Sequence, residues 1–350
     1  MGRQAGAADE AILVTQQGEA PPVWFGKERR IVTYRPLRPN RFNWLVDHIF
    51  LKEIVRRSGA PVFLATDFNS YVIPPPGVRV VSMLYDVIPL IFPEVMAQQP
   101  LSIRIGWPCN FRKLRRSDAL IAISGATKDD AVRVLGLDPD KIYVVYPGID
   151  HDVFSPGPAG DPLQQARVRQ RYGTGERYFI YVGDTDWRKN LPRMLEACIA
   201  LPDEVRLLIV GKRALHDQRL AGQIEALGVQ RRVILAGFVP GEDLPPLYGA
   251  AEALVFPSLY EGFGFPVAEA MACGCPVITS NVSSLPEVAG DAALLVDPAS
   301  VDEISAAMRR ILEDPALRER LKKDGLTQAA RFTWERNAAE VLGILRKVAG

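Results

Sequence analysis

The chain is poor in the residues that most often mark a reactive centre. It holds three histidines and four cysteines in 350 residues. His48, His151 and His216 stand outside any nucleophile or metal-ligand spacing and read as structural. Cys109 and Cys198 are isolated, and Cys273-Gly274-Cys275 is too tight for zinc spacing, with no His beside it. The thiols therefore read as small apolar groups in a reducing compartment. No apolar run approaches the roughly 18–20 residues of a membrane span. Met1 to Glu10 carries one Arg and no apolar signal core, so the expectation is a cytoplasmic protein. Neither sign of charge dominates: 42 Lys and Arg face 41 Asp and Glu, for a net charge of +1. That balance excludes a chain-wide nucleic-acid footprint, and no nucleic-acid motif is present.

What is present is the material of a soluble globular protein, with 48% hydrophobic and 24% charged residues. The length suits two domains. Short β-branched runs alternate with helical patterns along most of the chain. Candidate strands are Ala11–Thr15, Arg30–Tyr34, Pro61–Ala65, Val78–Met83, Ala119–Ile123 and Lys141–Val145, then Tyr178–Val182, Val205–Val210, Arg232–Leu235, Ala253–Phe256, Pro276–Thr279 and Ala293–Val296. Near-continuous apolar strands interleaved with helices predict doubly wound parallel α/β sheets. Pro, Gly and Asp concentrate over Phe154–Pro162, which reads as a linker. The expected organisation is a first Rossmann-like domain over residues 1–155 and a second over 156–332. A final helix over 333–350 has one apolar face (Val341, Leu342, Ile344, Leu345, Val348) to bury.

Two loops carry candidate chemistry. Phe256 ends a buried strand, and Glu261-Gly262-Phe263-Gly264-Phe265-Pro266 leads into a helix bearing Glu269. Gly262 and Gly264 remove side chains where backbone could approach a ligand, and the helix start offers amides and partial positive charge to a phosphate. Glu261 and Glu269 suit hydroxyl groups, one on a sugar and one on a ribose. The second loop, Gly183 to Leu191, follows another strand and places Arg188 and Lys189 at a sheet edge, where two cations suit a diphosphate. Together these residues describe a nucleotide-sugar site.

Glu261-x7-Glu269 within Pro257-Ser258-Leu259-Tyr260-Glu261-Gly262-Phe263-Gly264-Phe265-Pro266 resembles the retaining glycosyltransferases of family 4. Arg188-Lys189-Asn190-Leu191, Gly237-Phe238-Val239-Pro240, Ser280-Asn281-Val282-Ser283-Ser284-Leu285-Pro286-Glu287 and Asp297-Pro298 extend the resemblance over most of residues 178–348. In the first domain, Tyr85-Asp86-Val87-Ile88-Pro89-Leu90 and Val145-Tyr146-Pro147-Gly148 are similar to family segments. The resemblance implies a GT-B fold, two facing Rossmann-like domains with the donor bound mainly by the second and the final helix crossing back to the first.

It also implies transfer of a sugar, with mannose from GDP-mannose favoured, to a glycan or lipid-linked acceptor in cell-surface polysaccharide synthesis. The implied route is same-face attack through a short-lived oxocarbenium ion, with no metal and no cofactor. Asp86, Glu261, Arg188 and Lys189 are the implied catalytic residues. Gly183, Arg188, Lys189, Val239 (through its backbone, to the base), Glu261, Gly262, Phe263, Gly264, Phe265 and Glu269 are the implied donor-binding set.

The chain departs from the family pattern twice. Tyr85 stands where the family often carries His, so that role passes to Asp86, to the Tyr85 hydroxyl, or to neither. The opening strand, Gly-rich turn and helix are missing, and the expectation is a reading frame that began about 40–60 residues earlier, one βαβ step. The alternative function that follows is a degenerate GT-B protein that binds nucleotide or a partner without transferring. Arg104, Arg112, Lys113, Arg115 and Arg116 interleave with Ile103, Ile105, Trp107 and Phe111. That segment reads either as a solvated face or as a peripheral contact with the inner face of a membrane.

Overall fold

The structure is a computed structural model and describes residues 13–16, 31–34, 52–66, 73–97, 104 and 111–350. The chain divides into two compact units, one of residues 1–146 with 335–350 and one of residues 147–334.

The first unit contains a parallel pair, β1 (Leu13–Gln16) with β2 (Ile31–Tyr34), and a four-stranded parallel sheet. The sheet runs β3 (Val62–Ala65), β4 (Arg79–Leu84), β5 (Ala119–Ala122), β6 (Ile142–Val144) in that spatial order. All four residues of β5 are buried, and they alternate between two cores. Ala119 and Ile121 pack with Val81, Val145 and with Val341 and Ile344 of the helix Trp334–Ala349. Leu120 and Ala122 pack with Leu84, Phe111, Leu114 and Leu135 on the opposite side. This is why the strand reads as a continuous apolar run: both faces are covered, so period-2 alternation is lost. The apolar stripe of the last helix is buried at Ala338, Val341, Leu342 and Ile344.

The second unit is a six-stranded parallel sheet of β7 (Tyr178–Val182), β8 (Arg206–Val210), β9 (Val233–Gly237), β10 (Ala253–Phe256), β11 (Val277–Ser280) and β12 (Leu294–Val296). Its spatial order is β12-β11-β10-β7-β8-β9. The chain therefore runs outward from β7 to β9, returns to lay β10 beside β7, and runs outward the other way. The adjacent ends of β7 and β10 are the topological switch point, the place where ligands bind in open α/β sheets. Tyr181 of β7 stacks on Phe256 of β10 at 5.9 Å, so the two strands that meet at the switch point share a buried aromatic contact.

The strands fall where the apolar runs place them. The linker reading of Phe154–Pro162 is corrected: these residues form the helix Pro156–Gly160 and the start of the helix Pro162–Tyr172. Asp161 caps the second helix by accepting from the Leu163 amide at 2.9 Å, with Pro162 at the first helical position. Asp-Pro there is a helix start, read from sequence as a breaker. Buried Asp243 then locks that helix down, accepting from Arg167 (2.6 Å), Arg171 (2.9 Å) and the Tyr172 hydroxyl (2.7 Å). The division between units accordingly lies at 146/147 instead of 155/156. No helix among the described residues is long and apolar enough to cross a membrane.

Candidate functional site

The two loops singled out from sequence emerge at the switch point of the second unit and touch. The loop after β7 begins at Gly183, whose carbonyl lies so close to Gly211 that a Cβ there would sit 2.1 Å from it. The chain then forms the turn Trp187–Lys189, started by Asp186 accepting from the Arg188 amide at 3.2 Å. Asn190 ends that turn in a left-handed backbone (φ 60°) and starts the helix Leu191–Cys198. Its side-chain amide donates to the carbonyls of Pro257 (2.9 Å) and Pro298 (2.7 Å), while Leu259 donates its amide to the Arg188 carbonyl at 2.7 Å. The β7 loop is thereby stitched to the β10 loop.

Charge meets charge across that seam. Lys189 Nζ donates to Glu261 Oε1 at 2.5 Å and lies 5.1 Å from the centre of the Phe256 ring. Arg188 Nη1 is 3.5 Å from Glu261 Oε2, and its Nε is 3.1 Å from Asp186. Glu261 is only 7% exposed. A carboxylate so enclosed requires such cations, since burial of an unpaired charge costs several kcal/mol. Both peptide groups of Glu261 are also held. Its amide donates to Ser283 Oγ at 3.0 Å, and its carbonyl accepts from Ser284 Oγ at 3.0 Å.

Behind the loop, the helix Phe265–Ala272 starts at Gly264, whose φ of 111° favours glycine and where a Cβ would lie 2.7 Å from Leu285. Glu269 lies within this helix. Burial raises its carboxyl, and the Tyr248 hydroxyl, 3.4 Å away, pulls it part of the way back, leaving it at about 7. Phe263 is 2% exposed and packs edge-on against Phe265 and Phe332, so its side chain belongs to the core; its carbonyl accepts from Ser284 Oγ. Phe265 is exposed and Gly262 half-buried. Val239 is buried in the loop after β9, next to Phe238, which is 72% exposed.

Asp86 and Tyr85 belong to the first unit, at the end of β4. Asp86 Oδ1 accepts at 3.0 Å from the amide of Ile88, the first residue of the helix Ile88–Ile91. Tyr85 is exposed, and its carbonyl accepts from Thr127 Oγ1 at 3.3 Å. In the basic segment, Phe111 and Leu114 are buried while Arg112, Arg115 and Arg116 are exposed; Arg115 donates to the Leu135 carbonyl at the end of another helix. Residues 101–103 and 105–110, including Trp107 and Cys109, lie outside the described residues, as does His48. Cys198, Cys273 and Cys275 are buried and free; burial pushes the Cys198 and Cys275 thiols up to about 12. His151 contacts the Phe332 carbonyl at 3.2 Å.

The residues missed from sequence are those that hold the site. Thr279 and Ser280 donate to the carbonyls of Phe256 (2.9 Å) and Ser258 (2.7 Å), and Ser283 and Ser284 grip Glu261. Their signal was a run of hydroxyls that closes the strand Val277–Ser280 and continues past it, at the carboxyl edge of a parallel sheet.

A family model described as Glycosyltransferase Family 4 matches residues 8–192, more than half of the chain, and one described as Glycosyl transferases group 1 matches residues 164–328. The O-antigen chain mannosyltransferase B of Escherichia coli is 38% identical over 221 residues, 62% of this chain and 57% of that protein. The serotype-specific mannosyltransferase WbdA of Escherichia coli is 29% identical over 266 residues, 74% of this chain and 32% of that protein. The chain thus spans about half, and about a third, of the length of these curated relatives. Among solved structures, sucrose-phosphate synthase from Thermosynechococcus elongatus superposes with a TM-score of 0.75 at 22% identity, covering 96% of this chain and 88% of that one. HepE from Anabaena, in complex with UDP, superposes with a TM-score of 0.73 at 18% identity, covering 95% of this chain and all of that one (100%).

Proposed function

The chain belongs to glycosyltransferase family 4 and has the GT-B fold of two parallel-sheet α/β domains, and from that premise we propose that it transfers a sugar with retention from a nucleoside diphosphate sugar. Mannose from GDP-mannose is the favoured donor, and a glycan or lipid-linked saccharide of the cell surface the acceptor. Identity to O-antigen mannosyltransferases supports that choice. The observation that carries the reading is the contact of Lys189 and Arg188 with Glu261 at the switch point of the second unit.

Each residue then has a task. Lys189 and Arg188 receive the diphosphate and offset the negative charge that grows on it as the bond to the sugar breaks. The helix start behind Gly264 adds partial positive charge to the same group. Glu261 accepts hydrogen bonds from sugar hydroxyls, and Glu269 from the ribose. Gly183 and Gly262 leave room for the phosphates, and the Val239 backbone meets the base. For Asp86, in the first unit, the proposed part is the carboxylate role that the family resemblance gives it, stabilising positive charge on the reacting sugar carbon. The charges needed for the diphosphate come from side chains and the helix, so this reading uses no metal. A peripheral membrane contact through the exposed arginines at 112, 115 and 116 fits a lipid-linked acceptor.

The test is a thermal-shift and calorimetric panel of GDP, UDP and ADP with their sugar conjugates, on wild type and Glu269→Ala. One nucleotide should stabilise the fold by about 2.7 kcal/mol at 100 times its Kd, and Glu269→Ala should abolish the shift. Anomeric configuration of the product, read by NMR, decides retention. The second reading is nucleotide binding without transfer, favoured by Tyr85 in the family's His position; turnover that appears only in Tyr85→His would establish it.

A further inference from the structure

Among the described residues, the only non-glycine residues with positive φ are Asn190 (60°) and Ser283 (53°). Both flank the loop that carries Glu261, and both use their side chains on it. Asn190 donates to the Pro257 carbonyl at 2.9 Å, and Ser283 Oγ accepts from the Glu261 amide at 3.0 Å. Every other described position with positive φ is a glycine, the residue that adopts this backbone without penalty. A loop needing only the turn at 283 would be more stable with glycine there.

We propose that Ser283 is a positioning residue of the sugar site, held in a left-handed backbone so that its hydroxyl fixes the Glu261 amide and thereby aims the Glu261 carboxylate. This rests on the reading of Glu261 as the group that meets the sugar. The neighbouring Ser284 differs in kind. It is fully buried, has right-handed backbone before the helix Leu285–Ala289, and its one hydroxyl hydrogen is shared between two carbonyls in reach, those of Phe263 (2.8 Å) and Glu261 (3.0 Å). Ser284 closes the loop, whereas Ser283 alone holds the amide at the site. With Lys189 and Arg188 on the carboxylate, every polar group of Glu261 has a partner, and its backbone is held on both sides by serine hydroxyls. Strained backbone kept at a ligand site, where an unstrained residue was available, is the mark of preorganisation.

The test compares Ser283→Gly, Ser283→Ala and Lys189→Ala with wild type in the full chain. Titration calorimetry measures GDP, UDP and ADP against GDP-mannose, UDP-glucose and ADP-glucose, and melting temperature is read in parallel. In Ser283→Gly the melting temperature should hold or rise by up to about 3 °C, since the backbone strain is relieved. The preference for the sugar nucleotide over its nucleoside diphosphate should nonetheless fall about tenfold, the value of one aimed hydrogen bond lost. Ser283→Ala, which keeps the strain and loses the hydroxyl, should lose both the preference and stability. A preference in Ser283→Gly within about twofold of wild type overturns the proposal, because a merely structural serine leaves binding untouched. If Lys189→Ala still lowers nucleotide affinity in that case, the site reading stands and only the role of Ser283 falls. If Lys189→Ala binds as wild type does, both fall.

Discussion

Lys189 and Glu261, 72 residues apart in the chain, form a 2.5 Å ion pair at the adjacent ends of β7 and β10. The pair has a consequence for binding. The carboxylate holds the same cations that the proposed function assigns to the diphosphate, so under that proposal donor binding exchanges one anion for another. In the proposed function the phosphate takes Lys189 and Arg188, and the Glu261 carboxylate, its backbone held by Ser283 and Ser284, accepts from sugar hydroxyls. Lys189 and Arg188 thus face an anion in either arrangement, so neither cation is left buried and unpaired.

The two partners should therefore respond oppositely to substitution. Lys189→Ala removes a phosphate ligand and leaves Glu261 enclosed, so nucleoside diphosphate affinity should fall by about 2 kcal/mol, roughly thirtyfold. Glu261→Gln removes the competing anion, so the bare nucleoside diphosphate should bind several-fold tighter while turnover falls about 100-fold. Calorimetry with GDP and UDP reads the first effect and steady-state kinetics the second. Weaker diphosphate binding in Glu261→Gln would contradict the exchange.

Glu269 gives the site a pH dependence. Its carboxyl is raised by burial to about 7, with the Tyr248 hydroxyl opposing that rise. In the proposed function ribose hydroxyls donate to the ionised form, so nucleotide affinity should increase from pH 6 to pH 8 and binding below pH 7 should release protons. The stability consequence has the opposite sign. A carboxyl raised from about 4.5 to about 7 on folding stabilises the fold fully at low pH, and that contribution is lost as pH rises through this window. Glu269→Gln should thus melt higher than wild type at pH 8 without ligand, yet show flat, weak nucleotide binding from pH 6 to 8. Tyr248→Phe should shift the binding midpoint upward.

Asp243 anchors the helix Pro162–Tyr172 on the second unit. Burial opposes its charge, but the Tyr172 hydroxyl and the guanidiniums of Arg167 and Arg171 outweigh that, and its carboxyl titrates below the usual range. Asp243→Ala strands the phenol and leaves two half-exposed arginines to water, so the expected loss is about 2–3 kcal/mol. A lowered carboxyl stabilises above its unfolded value near 4, and the effect vanishes as pH falls through the folded one. The difference in urea midpoint between variant and wild type should hold at pH 6 and shrink toward pH 3.

Much of this arrangement was legible in the sequence, for reasons that differ by element. Tyr178–Val182 and Ala253–Phe256 sit centrally in their sheet, buried on both faces, and their apolar runs mark both ends of each strand. Gly264 and Pro266 announce a helix start because each is suited to one position there. Phe154–Pro162 misled because Pro, Gly and Asp serve a helix start as well as a turn; only the contact of Arg167 and Arg171 with distant Asp243 decides between them. In the site, residue types pointed to cations for phosphate and carboxylates for hydroxyls. That Lys189 and Glu261 hold each other, and that Ser283 accepts strain to hold Glu261, depends on the order β10-β7, which joins strands three apart in sequence. No local pattern encodes that adjacency.

Asp86 separates a structural role from a chemical one. Its Oδ1 accepts at 3.0 Å from the amide of Ile88, the first residue of the helix Ile88–Ile91, and Tyr85 beside it replaces the imidazole common in the family. An asparagine at 86 keeps an oxygen for the Ile88 amide and deletes only the charge. Asp86→Asn should therefore melt as wild type does and bind donor equally well. Its turnover should fall about 100-fold, because a carboxylate that stabilises positive charge on the sugar carbon acts only as the glycosidic bond breaks. Asp86→Ala should lose turnover and that hydrogen bond together. Full turnover in Asp86→Asn would reduce Asp86 to a turn former, and the Tyr85 hydroxyl, tested by Tyr85→Phe, would be the remaining group of the β4 end able to serve the reacting carbon.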